Sequence, residues 1–511
     1  MKKHGKGLSA WQLTMMAMGS VIGGSFFLGS AVAIQAAGPA IILSFILGGI
    51  LIYFILYALS ELTVANPHSG SFYTFTAQVF GPGAGFVIGW VYWTGMVLAM
   101  SSEATAVSIL VREWYPDISI PILGSAIIIG VTLLNLLGAD KLSKLESSLA
   151  VVKVFAVIAF IVLAVMLIAG FVRGVDAVGI GAVAAEPFMP GGLRSIAGSM
   201  LIVIFSYAGF EIIGLAASEA ENPAKTIPRA ILYTVIGLVG LYILSVLALL
   251  PLIPTAELTE EVSPMVAALS RWGMGWAGAV INFILVTAIL STMMAAMFGL
   301  GRMMRSVAEE GHAPGWLRER TEVPYRGILF SGFAMLIGLA AGLFFPRVYL
   351  FLISSGGFAT LLTYAAILAT HIRFRRCNGC PPEGKCQMPG YPYTSWLALI
   401  SIIVVIVSMP FISGQGSGLI AGIVMTVLYA LIYLMMRFTG REKESARMER
   451  LHHRRWNAGF TQEMSRELSQ DMEGVVRREK KISAYNQYDD DDGDEDEEEE
   501  DEDDDDMGDD E

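Results

Sequence analysis

The run Gly19-Ser20-Val21-Ile22-Gly23-Gly24-Ser25-Phe26-Phe27-Leu28-Gly29 lies inside the first long apolar segment of the chain. Glycine in a helix interior costs roughly 1 kcal/mol relative to alanine, and four of these residues are glycine. A helix with this sequence is expected to break at Gly23 to Ser25. In a bilayer, backbone that has lost its helical hydrogen bonds is tolerated only where it faces protein or a water-filled cavity. Two readings follow: a close helix-packing patch of small residues, or a binding site built on interrupted backbone.

The surroundings of that run are membrane-like. Of 511 residues, 54% are hydrophobic and only 16% charged, and the mean hydropathy is +0.59. A soluble domain of this length could not cover itself with polar surface. Apolar windows long enough to cross about 30 Å of hydrocarbon fall at 13–37, 40–62, 83–111, 120–138, 149–170, 196–218, 229–252, 276–300, 327–345, 348–371, 394–413 and 418–437. They predict an all-α membrane protein with twelve transmembrane helices. Lys2, Lys3 and Lys6 precede a first window too long for a signal-peptide core, which is expected to stay as an uncleaved span.

Charge divides the chain further. Residues 440–511 hold 28 of the 47 acidic residues and 11 of the 34 basic ones, so the net charge of −13 arises in the tail. The chain reads as an arm over 1–12, a twelve-helix membrane domain over 13–440 and a cytoplasmic tail over 441–511, disordered from about residue 489 for want of anything to bury. With the N-terminus inside, the arm and internal loops carry 16 Lys and Arg, against Arg112, Arg173, Arg194, Arg271 and Arg347 outside. Retention of basic loops on the inner face places both termini in the cytoplasm and the protein in the cytoplasmic membrane.

A second span repeats the oddity of the first. Phe205-Ser206-Tyr207-Ala208-Gly209-Phe210-Glu211 interrupts the sixth window. Each break opens a group of five spans, and an odd number per group gives the two groups opposite topology. Paired interrupted helices at corresponding positions of two halves point to a transport site at the membrane midplane. Repeat one is placed at 13–170 and repeat two at 196–371, with spans eleven and twelve outside the repeat.

The two breaks offer complementary chemistry. Amides at Gly23, Gly24 and Ser25, left unpaired at the start of a half-helix, suit a carboxylate. Carbonyls at Tyr207, Ala208 and Gly209 suit an ammonium group, and together the breaks fit an α-amino acid. Phe205 is either an aromatic gate over that ligand or a packing residue. Glu211, an ionisable group at membrane depth, either holds the unwound backbone or moves protons. Lys153 either snorkels to the inner interface or sets its ammonium against the first break, where a sodium ion would otherwise be held by carbonyls. The second placement favours proton coupling. Glu103 could contact the substrate, relay protons or simply bond a neighbouring helix.

Other features carry less chemistry. Cys377, Cys380 and Cys386, with His371 upstream, could complete a zinc site, but the spacing fits no standard knuckle and reduced thiols are the plainer reading. No metal and no cofactor other than the coupling proton is expected, and neither an enzyme's acid-base constellation nor a nucleic-acid motif appears. Residues 72–80 in the first cytoplasmic connection predict a short amphipathic helix.

Several of these stretches resemble the amino acid-polyamine-organocation superfamily, and within it the bacterial amino acid transporter family. Ile22-Gly23-Gly24-Ser25-Phe26-Phe27 is similar to the family's IGxGxF; Pro67 to Phe72 with Phe80-Gly81-Pro82 and Gly89-Trp90, Phe205 to Glu211 with Glu221-Asn222-Pro223, and Arg302-Met303 with Ala313-Pro314 match in order. The resemblance implies two inverted five-helix repeats, alternating access around a central amino acid, and a coupling role for Lys153 in place of sodium. Ser25 departs from the pattern by replacing its last glycine, which would narrow the pocket. The expected function is import of a neutral L-amino acid with a proton, with amino acid exchange and non-transporting amino acid sensing as alternatives; membrane lipid is the expected surrounding.

Overall fold

A computed structural model describes residues 8–65, 71–211, 213, 220–319, 321, 323–380 and 388–438. The expected acidic tail and Cys386 lie outside the described residues. Within them the chain is helical, and the sole β feature is a bridge between Leu8 and Ala220. Sixteen α-helices are named here in chain order: α1 (Ala10–Val21), α2 (Gly24–Phe27), α3 (Gly29–Ala37), α4 (Ile41–Ala65), α5 (Ser71–Phe80), α6 (Pro82–Arg112), α7 (Ile120–Asn135) and α8 (Ala139–Ile168). They continue as α9 (Gly192–Ser206), α10 (Pro223–Leu249), α11 (Pro264–Arg271), α12 (Gly275–Glu309), α13 (Tyr325–Gly342), α14 (Val348–Asn378), α15 (Tyr393–Ser408) and α16 (Gly416–Phe438).

Nine helical stretches among the described residues are long and apolar enough to cross a membrane, while α7 and α9 are apolar but shorter. The first apolar window is not one helix. It is divided at Ile22-Gly23 and at Leu28, and a 3-10 turn over Gly38–Ala40 leads into α4. The amphipathic helix expected at 72–80 is α5, and α11 is an additional short helix that the hydropathy pattern did not reveal.

Local sequence explains several helix ends. Ser9 and Gln12 form a reciprocal capping box at the start of α1, with Ser9 N–H donating to Gln12 Oε1 at 2.9 Å and Gln12 N–H to Ser9 Oγ at 3.4 Å. Gly81, at φ +96°, turns the chain sharply between α5 and α6, and Pro82 follows at a first-turn position where its missing N–H costs nothing.

Burial separates the inner helices from the outer ones. The most apolar window of α14 is 83% buried and that of α6 is 72%, whereas that of α16 is only 6% buried, so α6 and α14 belong to the centre and α16 to the rim. Small residues let α6 and α14 approach: a Cβ on Gly95 would stand 2.4 Å from Ala359 Cβ, and one on Gly356 would stand 3.1 Å from the Gly95 carbonyl. Around this pair, α1 packs on α8, α10 and α12, and α3 packs on α9. The broken first segment is thereby enclosed by the rest of the bundle.

Beyond the end of α12, His312 is buried near Phe86, its carbonyl accepts the Trp90 indole N–H at 3.0 Å, and its Nδ1 stands 3.9 Å from Glu310. Burial holds this imidazole below its ordinary pKa, so as pH falls through about 6.5 the unfolded chain takes up a proton before the folded one does. The stability contribution is complete above about pH 6.5 and is lost as pH falls toward the depressed folded value. His312→Gln should therefore shrink the loss of melting temperature between about pH 7.5 and about pH 5.5, measured on detergent-solubilised protein; an unchanged difference would show that His312 takes up its proton equally in the folded and unfolded states.

Candidate functional site

The two breaks expected from sequence lie against one another at the centre. α1 stops because Ile22 turns extended (φ −72°, ψ 99°) and Gly23 follows at φ −142°, ψ −165°. Phe26 and Phe27 amides return to the Gly23 carbonyl at 3.2 and 3.1 Å, which starts α2. The amides of Gly24 and Ser25 have no such partner within the helix.

Glu103 supplies that partner. Gly24 N–H donates to Glu103 Oε2 at 2.6 Å and Ser25 N–H to Glu103 Oε1 at 3.3 Å. Sequence alone suggested amides open to a cavity, and this is corrected: a carboxylate of the protein's own already fills the position. Such charge-assisted bonds are about twice as strong as neutral ones, and the short α2 start also favours negative charge. A Cβ at position 24 would stand 2.5 Å from Oε2 and push the carboxylate off its present position.

The carbonyl side of the same break carries the opposite charge. Lys153 is fully buried and donates from Nζ to the Gly19 carbonyl at 2.6 Å and to Thr292 Oγ1 at 2.7 Å. Thr292 in turn donates a hydrogen bond from its hydroxyl to the Ile22 carbonyl at 3.0 Å. The lysine therefore does not snorkel: it stands at the carbonyl end of α1, where a cation offsets the unpaired C=O groups. One break is bracketed by Glu103 on its amides and Lys153 on its carbonyls.

The second break follows α9. Ser206 is its last helical residue, Tyr207 turns at φ −94°, ψ −6°, and Gly209 takes φ +111°. Glu211 folds back so that Gly209 N–H donates to its Oε2 at 2.7 Å, while Tyr364 OH donates to its Oε1 at 2.8 Å. The two breaks are also tied together, since Ser20 Oγ donates to the Gly209 carbonyl at 2.9 Å and Ser206 Oγ to the Ser25 carbonyl at 3.1 Å. Tyrosines satisfy further backbone oxygens: Tyr242 OH donates to Ser206 O, Tyr349 OH to Gly24 O and Tyr207 OH to Phe45 O, each at 3.2 Å. Each such carbonyl retains a second lone pair for another donor.

Aromatic rings wall one side. Tyr242 stacks on Phe26 at 3.7 Å between centroids and on Tyr207 at 5.2 Å, with Phe45 edge-on to both tyrosines. Phe205 is buried in the core on α9, and Ala208 is half-buried at the break. Ser25 is buried, with its amide on Glu103 and its carbonyl on Ser206.

Sequence reasoning missed Thr292, Tyr242, Tyr349 and Tyr364 as members of this constellation. Each stands in a long apolar helix among other polar residues, such as Ser291 beside Thr292 and Thr363 beside Tyr364, and hydropathy does not say which of them turns toward the breaks. The cysteine cluster does not assemble as a zinc site among the described residues. Cys377 is free and exposed, Cys380 is disulfide-bonded rather than a reduced thiol, and His371 is engaged by Glu61 at 2.7 Å and Ser395 at 3.4 Å. No group of three or more His, Cys, Asp or Glu among the described residues could hold a metal.

Comparison with known proteins adds to this geometry. A family model described as amino acid permease matches residues 12–450. The gamma-aminobutyric acid permease of Bacillus subtilis is 32% identical over 438 residues, covering 84% of this chain and 93% of its own. The gamma-aminobutyric acid permease of Escherichia coli is 33% identical over 437 residues, 83% and 93% of the two chains. A probable threonine/serine transporter of Bacillus subtilis is 30% identical over 444 residues, 84% and 95%. Among solved structures, the Eremococcus coleocola manganese transporter superposes with a TM-score of 0.55 over 86% of this chain and 95% of its own; at 12% identity this similarity concerns the fold alone.

The conformation of Gly209 gives a direct check on the second break. Alanine at φ +111° is strained, and its Cβ would stand 3.0 Å from the Ser20 carbonyl oxygen. Gly209→Ala should destabilise the protein by about 1–3 kcal/mol, read as a lowered melting temperature, whereas Ala208→Gly should not reproduce the loss through strain. Equal melting temperatures for Gly209→Ala and the parent would show that the break relaxes freely.

Proposed function

The chain belongs to the amino acid permease family, within the amino acid-polyamine-organocation superfamily, and from that premise we propose that it imports a neutral L-amino acid together with a proton. In this reading the substrate carboxylate takes the amides around Gly23, Gly24 and Ser25, and its ammonium takes carbonyls of Tyr207, Ala208 and Gly209. The observation that supports it most directly is the Glu103 carboxylate on the Gly24 and Ser25 amides, because a group of the substrate's own chemistry already fits there. Substrate would displace Glu103, which then stands beside the ammonium as a counter-charge. Phe205 would act as a gate.

Alternating access in this reading uses twelve spans, with two inverted repeats and both termini in the cytoplasm. Lys153 is the proposed coupling group, with Glu103 and Glu211 as supporting carboxylates. The basis is its position: a buried ammonium on the Gly19 carbonyl fills the place at the break where a metal cation would otherwise find oxygen ligands. A lysine in such a place can lose and regain a proton as its surroundings change, without a bound metal ion. The relatives named above transport, by their names, gamma-aminobutyric acid or threonine and serine, which supports a small amino acid as substrate here.

Purified protein in proteoliposomes tests the coupling. Labelled L-threonine, L-serine, L-alanine and 4-aminobutyrate should accumulate under an inward proton gradient, and a sodium gradient should add nothing. Lys153→Ala should lower gradient-driven accumulation by about tenfold or more while sparing exchange of internal for external substrate. Accumulation that follows sodium and ignores pH would reject proton coupling.

The side chain of Ser25 tests the pocket. Ser25→Gly restores the family pattern and should shift competition toward bulkier amino acids, measured as inhibition of labelled uptake by the twenty amino acids. An unchanged competition profile would remove Ser25 from the determinants of substrate size.

A further inference from the structure

A second buried charge cluster lies toward the C-terminal ends of α4 and α14, apart from the breaks. Glu61 and His371 are both fully buried, with His371 Nε2 2.7 Å from Glu61 Oε2. Met388 N–H donates to Glu61 Oε1 at 2.7 Å, and Arg375 Nη1 lies 3.6 Å from Oε2. The Arg375 guanidinium stands 4.0 Å over the Tyr391 ring, His371 meets the same ring edge-on, and Ser395 Oγ is 3.4 Å from His371 Nδ1. Three stretches remote in sequence thus converge on one carboxylate.

Stability alone is a poor reason for such a cluster. Withdrawing each ion from water costs several kcal/mol, and apolar residues of similar volume often serve a fold as well or better. Well-formed buried pairs instead impose one geometry, and the elements fixed here are informative. α4 receives the Tyr207 hydroxyl on the Phe45 carbonyl, and its Gly48 passes Val203 so closely that a Cβ would stand 2.8 Å away. α14 gives Tyr349 to the Gly24 carbonyl and Tyr364 to Glu211. The helices joined by Glu61 and His371 are thus helices that grip both breaks.

We infer that Glu61, His371 and Arg375 form a charge clamp that fastens α4 to α14 and to the segment 388–395, and that through Phe45, Tyr349 and Tyr364 the clamp sets the geometry of both chain breaks. Opening it would release hydrogen bonds at the two breaks together, in the manner of a two-state element that biases a distant site. The three residues are positioning residues, acting through the two helices without touching the breaks themselves.

Hydrogen–deuterium exchange of the full chain in lipid nanodiscs, without substrate, tests the clamp independently of any transport activity. Glu61→Gln keeps an acceptor for the Met388 amide but removes the negative charge that faces His371 and Arg375. Exchange should become about tenfold faster in peptides covering 388–396 and also in those covering 23–28 and 204–211. Peptides from α7, which packs mainly on α6, α12 and α13, should be unchanged. Faster exchange confined to 388–396 would overturn the inference, and so would a uniform rise that includes α7. Should Glu61→Gln not fold, Arg375→Gln removes the cation 3.6 Å from Glu61 and its stacking on Tyr391 while leaving the Glu61–His371 contact, and should give the same pattern at about threefold; no change at the breaks would again overturn it.

Discussion

Backbone that leaves a helix inside a membrane must find partners, and this constraint organises the centre of the molecule. An unpaired amide or carbonyl buried without a hydrogen bond costs on the order of 2–7 kcal/mol by transfer scales. At the first break the protein answers with opposite charges on opposite sides, Glu103 on the amides and Lys153 with Thr292 on the carbonyls. Both charged groups are themselves buried, so each depends on the break as much as the break depends on them. The second break is answered within its own chain by Glu211 folding onto Gly209, and from outside by tyrosine hydroxyls.

The surrounding helices bring these partners within reach. Close approach of α6 and α14 through Gly95 and Gly356 brings together the helices that carry Glu103 on one side and Tyr349 and Tyr364 on the other. Such packing works without a hydrophobic driving force between helices, because small residues allow backbone-level contact. A displaced helix would therefore unseat hydrogen bonds rather than merely loosen apolar contacts. This gives a physical route from helix movement to the shape of the breaks, which is the property a transporter that exposes its site alternately requires.

Filling of the first break by Glu103 also bears on function. The amides expected to await a substrate carboxylate are engaged by a carboxylate tethered on α6, so under the proposed reading substrate binding would be an exchange of one anion for another. Exchange of like for like conserves the charge balance around Lys153. Membership of the amino acid permease family and the names of the relatives make an amino acid the natural exchanging group.

The sequence by itself determined the membrane-embedded helical class, the positions of both breaks and the family, because these rest on local quantities: apolar run length, glycine content and short motifs. It also singled out Lys153, Glu103 and Glu211 as charges that need an explanation at membrane depth. Tertiary structure alone decided what each of them touches. Which face of a long apolar helix turns inward is set by packing between helices, and in α6 and α14 buried Ser and Thr residues are spread along the helix rather than gathered at the breaks. Hence Thr292, Tyr242, Tyr349 and Tyr364 were illegible in the sequence, and Glu103 could be assigned to the Gly24 and Ser25 amides only once α6 was placed beside the break.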